Sequence, residues 1–432
     1  MNKVCVIVSY LLISKVSLSQ QVLTLKDAVN IALQNSFTLQ IAKNNVAIAN
    51  INNDNGIAGG LPVITANISN QESVVNINQE LNTGTKLSRN GATSNILNAN
   101  IQGNIVLYNG YRIKTTKQRL AEIEQLNKQQ LNTQIQNTIA AVHVNYFDVV
   151  RQQYFIRTIE KNIEVAQQRL SIIKTRKDIG LANNADVFQA EIDVNARLQD
   201  LKSQQLLLQQ SKINLLNTLN LNPDSSINIK DTISIDAKLT LTQVIDALQQ
   251  NPDMLTAKQQ IVINELLEKE THTLRLPTLR ANAGINFNRN QANGGQLLLN
   301  QNYGPFIGVG LALPLYNGGV VKKQEQIAKL NIKNSQIQQQ QLLNNLQTAA
   351  VRAFNNYNNN LDQLSLQQKN VALSASLVQL TVQRFELQQA TIIELREAQR
   401  SFEEASFRFI NLSFAAKLSE IELNRLANKL GF

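Results

Sequence analysis

Charge is scarce in this chain. Of its 432 residues, 17% are Asp, Glu, Lys or Arg, against about 25% in an average soluble domain. Hydrophobic residues make up 43%, so apolar side chains have not replaced the missing charge. Asn and Gln have: together they are roughly a quarter of the chain, far above ordinary usage. The expected surface is polar but mostly uncharged. With two His, one Cys and no Trp, a His/Cys metal cluster and an intrachain disulfide are excluded. No apolar run reaches 18 residues, so no transmembrane helix is expected. A Gly-rich phosphate loop and a Ser/His/Asp arrangement are also missing, so neither an enzyme nor a cofactor is expected. Net charge is +10, but the basic residues are scattered and lack stacking aromatics, which argues against nucleic acid.

Residues 1–19 have the layout of a secretory signal peptide. Lys3 supplies a positive start, Val4 to Ile13 is an apolar run too short to span a bilayer, and Ser17-Leu18-Ser19 precedes Gln20 as a small-x-small cleavage site. Cys5 lies inside this segment and away from the cleavage point, so acylation is not expected.

The chain beyond residue 19 is a repeat. Leu23-Thr24-Leu25 recurs as Leu239-Thr240-Leu241, and Ala32-Leu33-Gln34 as Ala247-Leu248-Gln249. Leu61-Pro62 recurs as Leu276-Pro277, and Leu107-Tyr108-Asn109-Gly110 as Leu315-Tyr316-Asn317-Gly318. Arg176, Asp186 and Ala190 find Arg384, Glu394 and Ala398 at the same internal spacing. Matches in one order at a near-constant offset imply duplication. The first repeat is placed at 20–222, with strands at about 62–78 and 96–108 and long helices at about 112–178 and 184–219. A linker at 223–238 leads to the second repeat, 239–432, with strands at about 277–289 and 305–316 and long helices at about 320–387 and 391–429.

In the strands the apolar period is two. Leu97, Ala99, Ile101, Gly103, Ile105 and Leu107 alternate with Asn98, Asn100, Gln102 and Asn104. Strands of about 9–11 residues suit a tilted bilayer crossing, with one face for lipid. Tyr108 and Tyr316 are expected to close strands at an interfacial aromatic belt. The segments Asn70–Ser94 and Asn288–Gly304, rich in Asn, Gln and Gly, are read as loops outside the cell. From Arg112 to Lys177 and from Val320 to Leu387 there is no Pro or Gly, so two very long helices are expected, each on the order of 100 Å. Their narrow apolar stripes suit helices that touch lateral neighbours and face water elsewhere. Four strands cannot close a barrel, which needs about eight, and open edges in lipid cost several kcal/mol per unsatisfied group. If the strands span a membrane, the chain must oligomerise. The alternative is a secreted coiled-coil structural or adhesive protein with a soluble β head.

The duplicated helix-strand-strand-helix-helix order, the stretch Leu313-Pro314-Leu315-Tyr316-Asn317-Gly318-Gly319 and the set Arg176, Ile179-Gly180-Leu181, Asp186 and Ala190 resemble the TolC-like outer membrane efflux proteins over essentially the whole chain beyond residue 19. The resemblance implies a homotrimer in outer-membrane lipid, mainly α with a small β part. Three chains would make a 12-stranded barrel continued by a periplasmic α-helical barrel. It also implies a periplasmic adaptor and an inner-membrane transporter as partners. Ile179, Gly180, Leu181 and Gln388 correspond to the adaptor-contacting tip, although Gln388 stands where glycine is usual and Ala390 near where some members carry a locking Arg. Glu394, Glu397 and Asp186 correspond to a periplasmic gate. Tyr108, Gly110, Tyr316, Gly318 and Gly319 mark the strand–helix transitions.

Overall fold

A computed structural model describes residues 22–236, 240–295 and 297–431. The proposed signal segment 1–19, residues 237–238 of the linker and residue 239 at the start of the second repeat lie outside the described residues. The elements are α1 (Leu25–Asn35), α2 (Phe37–Asn52), β1 (Val63–Glu80), β2 (Lys86–Tyr108), α3 (Arg112–Asp178), α4 (Asn184–Thr218), α5 (Leu241–Ala247), α6 (Pro252–Thr273), β3 (Thr278–Ala292), β4 (Leu299–Ala312), α7 (Val320–Glu386) and α8 (Ile392–Leu426). The protein is mainly helical with one small antiparallel sheet. No described helix is long and apolar enough to cross a membrane.

Two compact units are present. One is helical and comprises the described residues up to Gln40, Gln134–Asn251 and the chain from Leu346. Its main core gathers Ala28, Val29, Ile139, Val142, Tyr146, Leu215 and Leu219. Two buried tyrosines at repeat-equivalent positions tie down the linker: the hydroxyl of Tyr146 donates to Asp231, and that of Tyr357 to the Asp236 carbonyl. Burial pushes both phenols up from their usual range, so they remain donors at any physiological pH. His143, half-buried in the same region, is pushed down to about 4, first by burial and then by the Lys417 charge.

The helix that opens the first repeat is divided into α1 and α2. The chain breaks at Ser36, whose Oγ accepts from Leu39 N at 3.4 Å. A serine offers the next helix this local cap in place of helix continuation.

The other unit comprises Ile41–Thr133 and Pro252–Asn345. Its sheet has the order β1-β2-β3-β4, every pair antiparallel, with β1 and β4 at the edges. The register aligns Ala66, Ile101, Ile285 and Pro305 in one row and Asn67, Asn100, Asn286 and Gly304 in the next. Side chains alternate between faces along a strand. One face therefore collects Ile64, Ile68, Ile101, Ile285, Phe287, Tyr303 and Ile307; the other carries Asn67, Asn100, Gln102, Asn282, Asn286 and Asn302. Asn67 donates to Asn100 at 3.1 Å and Asn288 to Asn302 at 2.9 Å across the strands. Among the described residues the apolar face is left largely uncovered: Ile68 is 78% and Ile307 85% exposed.

Three strand limits differ from expectation. The supposed loop Asn70–Ser94 is mostly strand, with its turn confined to residues 81–85, and the supposed loop Asn288–Gly304 is strand up to Ala292 and again from Leu299. Polarity misleads here, because ladder hydrogen bonds form whatever the side chain. The Asn and Ser side chains also pair across strands, Asn95 to Asn70 at 2.8 Å and Ser88 to Asn78 at 2.6 Å. In the opposite direction, β4 ends at Ala312 and not at Tyr316. Its partner strand begins at Thr278, opposite Ala312, and Pro314 beyond it has no N–H for a ladder. Tyr316 thus follows the sheet, while Tyr108 does end β2.

Candidate functional site

The two turns that reverse the long helices are built alike. At the first, α3 ends at Asp178 and Gly180 adopts φ +77°. Leu181 N donates to the Arg176 carbonyl at 2.7 Å and Gly180 N to the Lys177 carbonyl at 2.9 Å, the backbone pattern of a left-handed helix cap. Ile179 and Leu181 stand exposed. Asn183 then caps α4 through Asp186: Asp186 N donates to Asn183 Oδ1 at 3.0 Å, and Asn183 N to Asp186 Oδ2 at 3.0 Å.

The second turn repeats this at an equal offset. Gln389 N donates to the Arg384 carbonyl at 2.8 Å, and Gln388 occupies the left-handed position at φ +61°. Thr391 caps α8 with Glu394 as its reciprocal partner, Thr391 N donating to Glu394 Oε2 at 2.6 Å. These donors hold the Glu394 carboxyl below the usual range, so it stays ionised. One apolar cluster joins the two turns: Ile173, Val187, Ala190, Val382, Phe385, Ala390, Leu395 and Ala398. Asp186 and Glu394 each directly precede a member of it.

The match of family to sequence settles the frame for these turns. The family described as "Outer membrane efflux protein" matches residues 28–221 and 244–429. The chain belongs to this family. The Outer membrane protein TolC of Vibrio cholerae is 25% identical over 354 residues, covering 78% of each protein. Among solved structures, VceC from Vibrio cholerae superposes with a TM-score of 0.77 at 16% identity, covering 94% of this chain and 96% of that one. The CmeC outer membrane channel of Campylobacter jejuni gives a TM-score of 0.73 at 17% identity, covering 94% and 86%. At these identities the two structures bear on the fold alone.

In this efflux-family chain, the residues expected at the tip and gate fall on the two turns, but their observed contacts are local. Asp186 and Glu394 serve as cap partners. Glu397 is exposed and lines a cavity of ≈ 560 Å³ with Arg169, Asp193, Arg197, Arg396 and Arg400. Two further residues act here through tertiary contacts. Arg169, buried at 2% side-chain exposure, pairs with Asp193 at 2.6 Å and donates to Gln399 at 3.2 Å. Arg176 reaches from the first turn to donate to the Phe385 carbonyl of the second, its guanidinium 4.3 Å from the Phe385 ring centroid. Its repeat partner Arg384 instead folds back onto the Gln389 carbonyl at 2.9 Å. Spacing along the chain carries no trace of contacts between helices so far apart in sequence. Among the described residues no metal-holding cluster of His, Cys, Asp or Glu occurs.

A non-glycine residue in the left-handed region costs about 1–2 kcal/mol. Replacing Gln388→Gly should therefore stabilise the second turn by about 1 kcal/mol, while Gly180→Ala should cost the first about the same. Denaturant unfolding in detergent checks both, and a destabilising Gln388→Gly would contradict the assignment.

At the strand–helix transitions the repeats diverge. Gly110 has φ +70°, and a Cβ there would lie 2.5 Å from Leu276 Cδ1, so only glycine fits. Tyr108 packs edge-on against Tyr111 at 5.6 Å. Gly318 and Gly319 are also left-handed, but Tyr316 beside them is 88% exposed.

Proposed function

We propose that three copies of this chain form the outer-membrane exit duct of a tripartite efflux or secretion system. The observation that carries this reading is a four-stranded sheet with an uncovered apolar face and two unpaired edges. Pairing β4 of one copy with β1 of the next removes every edge after three copies and gives a closed 12-stranded barrel with its apolar face toward lipid. A soluble β head would bury that face.

The helices support the same closure. Helix α2 leads into β1 and carries exposed Ile41, Ile48 and Ile51; α7 leaves β4 and carries exposed Val320, Ile327, Leu330 and Ile337. Steps of seven and three mark both as coiled-coil seams. Joining β4 to the neighbour's β1 brings these two seams side by side. The repeats 20–222 and 239–432, with the linker 223–238, would then supply equivalent parts of a periplasmic helical barrel below the strands.

In this reading the barrel passively conducts what a periplasmic adaptor and an inner-membrane transporter deliver. Ile179, Gly180, Leu181 and Gln388 meet the adaptor at the tip. Glu394, Glu397 and Asp186 ring the periplasmic opening, where close carboxylates favour cations. Planar-bilayer recording of the purified protein tests this. Discrete, cation-preferring conductance is expected, and Glu394→Gln with Glu397→Gln should abolish the preference. Absence of conductance, or unchanged selectivity in an intact double variant, contradicts the duct or its gate respectively.

A further inference from the structure

The end of the sheet nearest the long helices is unlike its hairpin end. At the hairpin end each cation has a partner within the chain: Lys86 pairs with Glu80 at 3.6 Å, Arg89 donates to the Asn293 carbonyl and Arg289 to Gln291. At the helix end only some of them have one. Arg112, Lys114, Lys117 and Arg119 open α3, with no carboxylate before Glu122. Lys117 is held by the Asn53 carbonyl at 2.6 Å and Arg119 by Glu270 at 2.7 Å. Arg112 and Lys114 form no ion pair among the described residues. On α7 the first charges are Lys322 and Lys323. The first carboxylate, Glu325, is occupied by Arg275 at 2.5 Å and His272 at 3.1 Å.

These uncommitted cations sit where the apolar face stops. Strand pairing ends at Thr278 with Ala312 and at Tyr108 with Leu279. Beyond it come Leu313, Leu315 and Tyr316, all exposed, with Tyr111 at 69%. Along this face the Lys and Arg side chains begin only then, since Arg280 within β3 falls on the polar face with Asn282. Apolar surface, then aromatic rings, then cations is the order in which a bilayer presents hydrocarbon, interface and phosphate. Tyr and Lys reach with their polar ends while their stems stay in apolar surroundings.

We propose that Arg112, Lys114, Lys322 and Lys323, beneath Tyr111 and Tyr316, bind the phosphate headgroups of anionic phospholipid in the adjoining leaflet. The proposal rests on the reading of the sheet as membrane-facing, and names its lipid partner. With three copies, twelve such cations would ring the barrel's helical end. Each surface cation should contribute roughly fivefold to anionic lipid retention, and the uncharged aromatic contacts should retain neutral lipid only weakly.

The test is native mass spectrometry of the full-length detergent-solubilised protein, titrated with phosphatidylglycerol, phosphatidylcholine or inorganic phosphate. Phosphatidylglycerol should remain bound, phosphatidylcholine should not, and millimolar phosphate should fail to displace it. Lys114→Gln, Lys322→Gln and Lys323→Gln combined should lower retention by roughly 100-fold. Lys369→Gln, an exposed lysine far along α7, should leave it unchanged. Equal binding of the two lipids would overturn the proposal in favour of a purely hydrophobic annulus. Displacement by phosphate would show a free-anion site instead. A triple variant that binds like the parent would overturn it too. Bilayer conductance of the same samples separates the readings, since the duct can conduct whether or not lipid selection holds.

Discussion

Removing the carboxylate of Asp193 should be among the most damaging single changes in the helical unit. Arg169 lies at 2% side-chain exposure, with Asp193 at 2.6 Å and Gln399 at 3.2 Å as its partners. Burial pulls its pKa down and the Asp193 charge opposes that pull, but a guanidinium does not surrender its proton in a protein. Asp193→Ala therefore leaves a charge in a poorly solvated place, which costs about 3–5 kcal/mol. Arg396, 3.7 Å from the same carboxylate, loses a weaker contact at the surface. The cost should be local, because Arg169, Asp193 and Gln399 bring together only α3, α4 and α8. Amide exchange in those helices should accelerate by roughly 100- to 4,000-fold, each 1.4 kcal/mol being about tenfold. Replacing both residues, Arg169→Leu with Asp193→Leu, should restore protection, since apolar replacement of a buried pair is often neutral or better. Unchanged exchange in Asp193→Ala would mean that the pair holds nothing.

An arginine on the apolar face of the sheet should be costlier still for assembly. Ile101 lies in the row with Ala66, Ile285 and Pro305 and is 58% exposed in the single chain. If lipid covers that face, Ile101→Arg near the bilayer midplane costs about 2–4 kcal/mol, incurred three times in a trimer. Its neighbour Asn100 points to the opposite, polar face, so Asn100→Arg should be close to neutral. The amount of heat-resistant oligomer in isolated outer membranes reads the difference. Equal yields of the two variants would contradict the assignment of faces.

The alternation that separates Ile101 from Asn100 is plain in the sequence, because a strand's period of two survives even a composition this rich in Asn. Long helices are equally plain from the absence of Pro and Gly over more than sixty residues. The hairpins are not. Asn70–Ser94 reads as loop by composition, yet cross-strand hydrogen bonds between amides and hydroxyls suit those residues to a strand as well. Nor can pattern reveal that Pro314 falls just after the sheet's last pair and frees Tyr316 from it. At the turns, Gly180 and its capping partner Asp186 follow from local rules. Gln388 stands out as a departure from the family pattern; that it takes the same left-handed backbone as Gly180 is visible only in three dimensions. Arg176 recurs as Arg384 in the repeat, but its reach to Phe385, like the Arg169–Asp193 pair, is a tertiary contact that leaves no local trace. The family resemblance carries the identity further than any of these features alone.

The central claim is that sheet edges β1 and β4 close on each other between three chains. Single cysteines placed along β1 at Thr65, Asn67 and Ser69 and along β4 at Asn302, Gly304 and Phe306 test it most directly, against a background in which Cys5 is the one natural cysteine. Chains bearing one cysteine on each edge, oxidised in native outer membranes, should give a covalent ladder that stops at three, with a periodic preference for one set of pairs. A soluble monomer without cross-links, or a ladder that runs on past three chains, would contradict it.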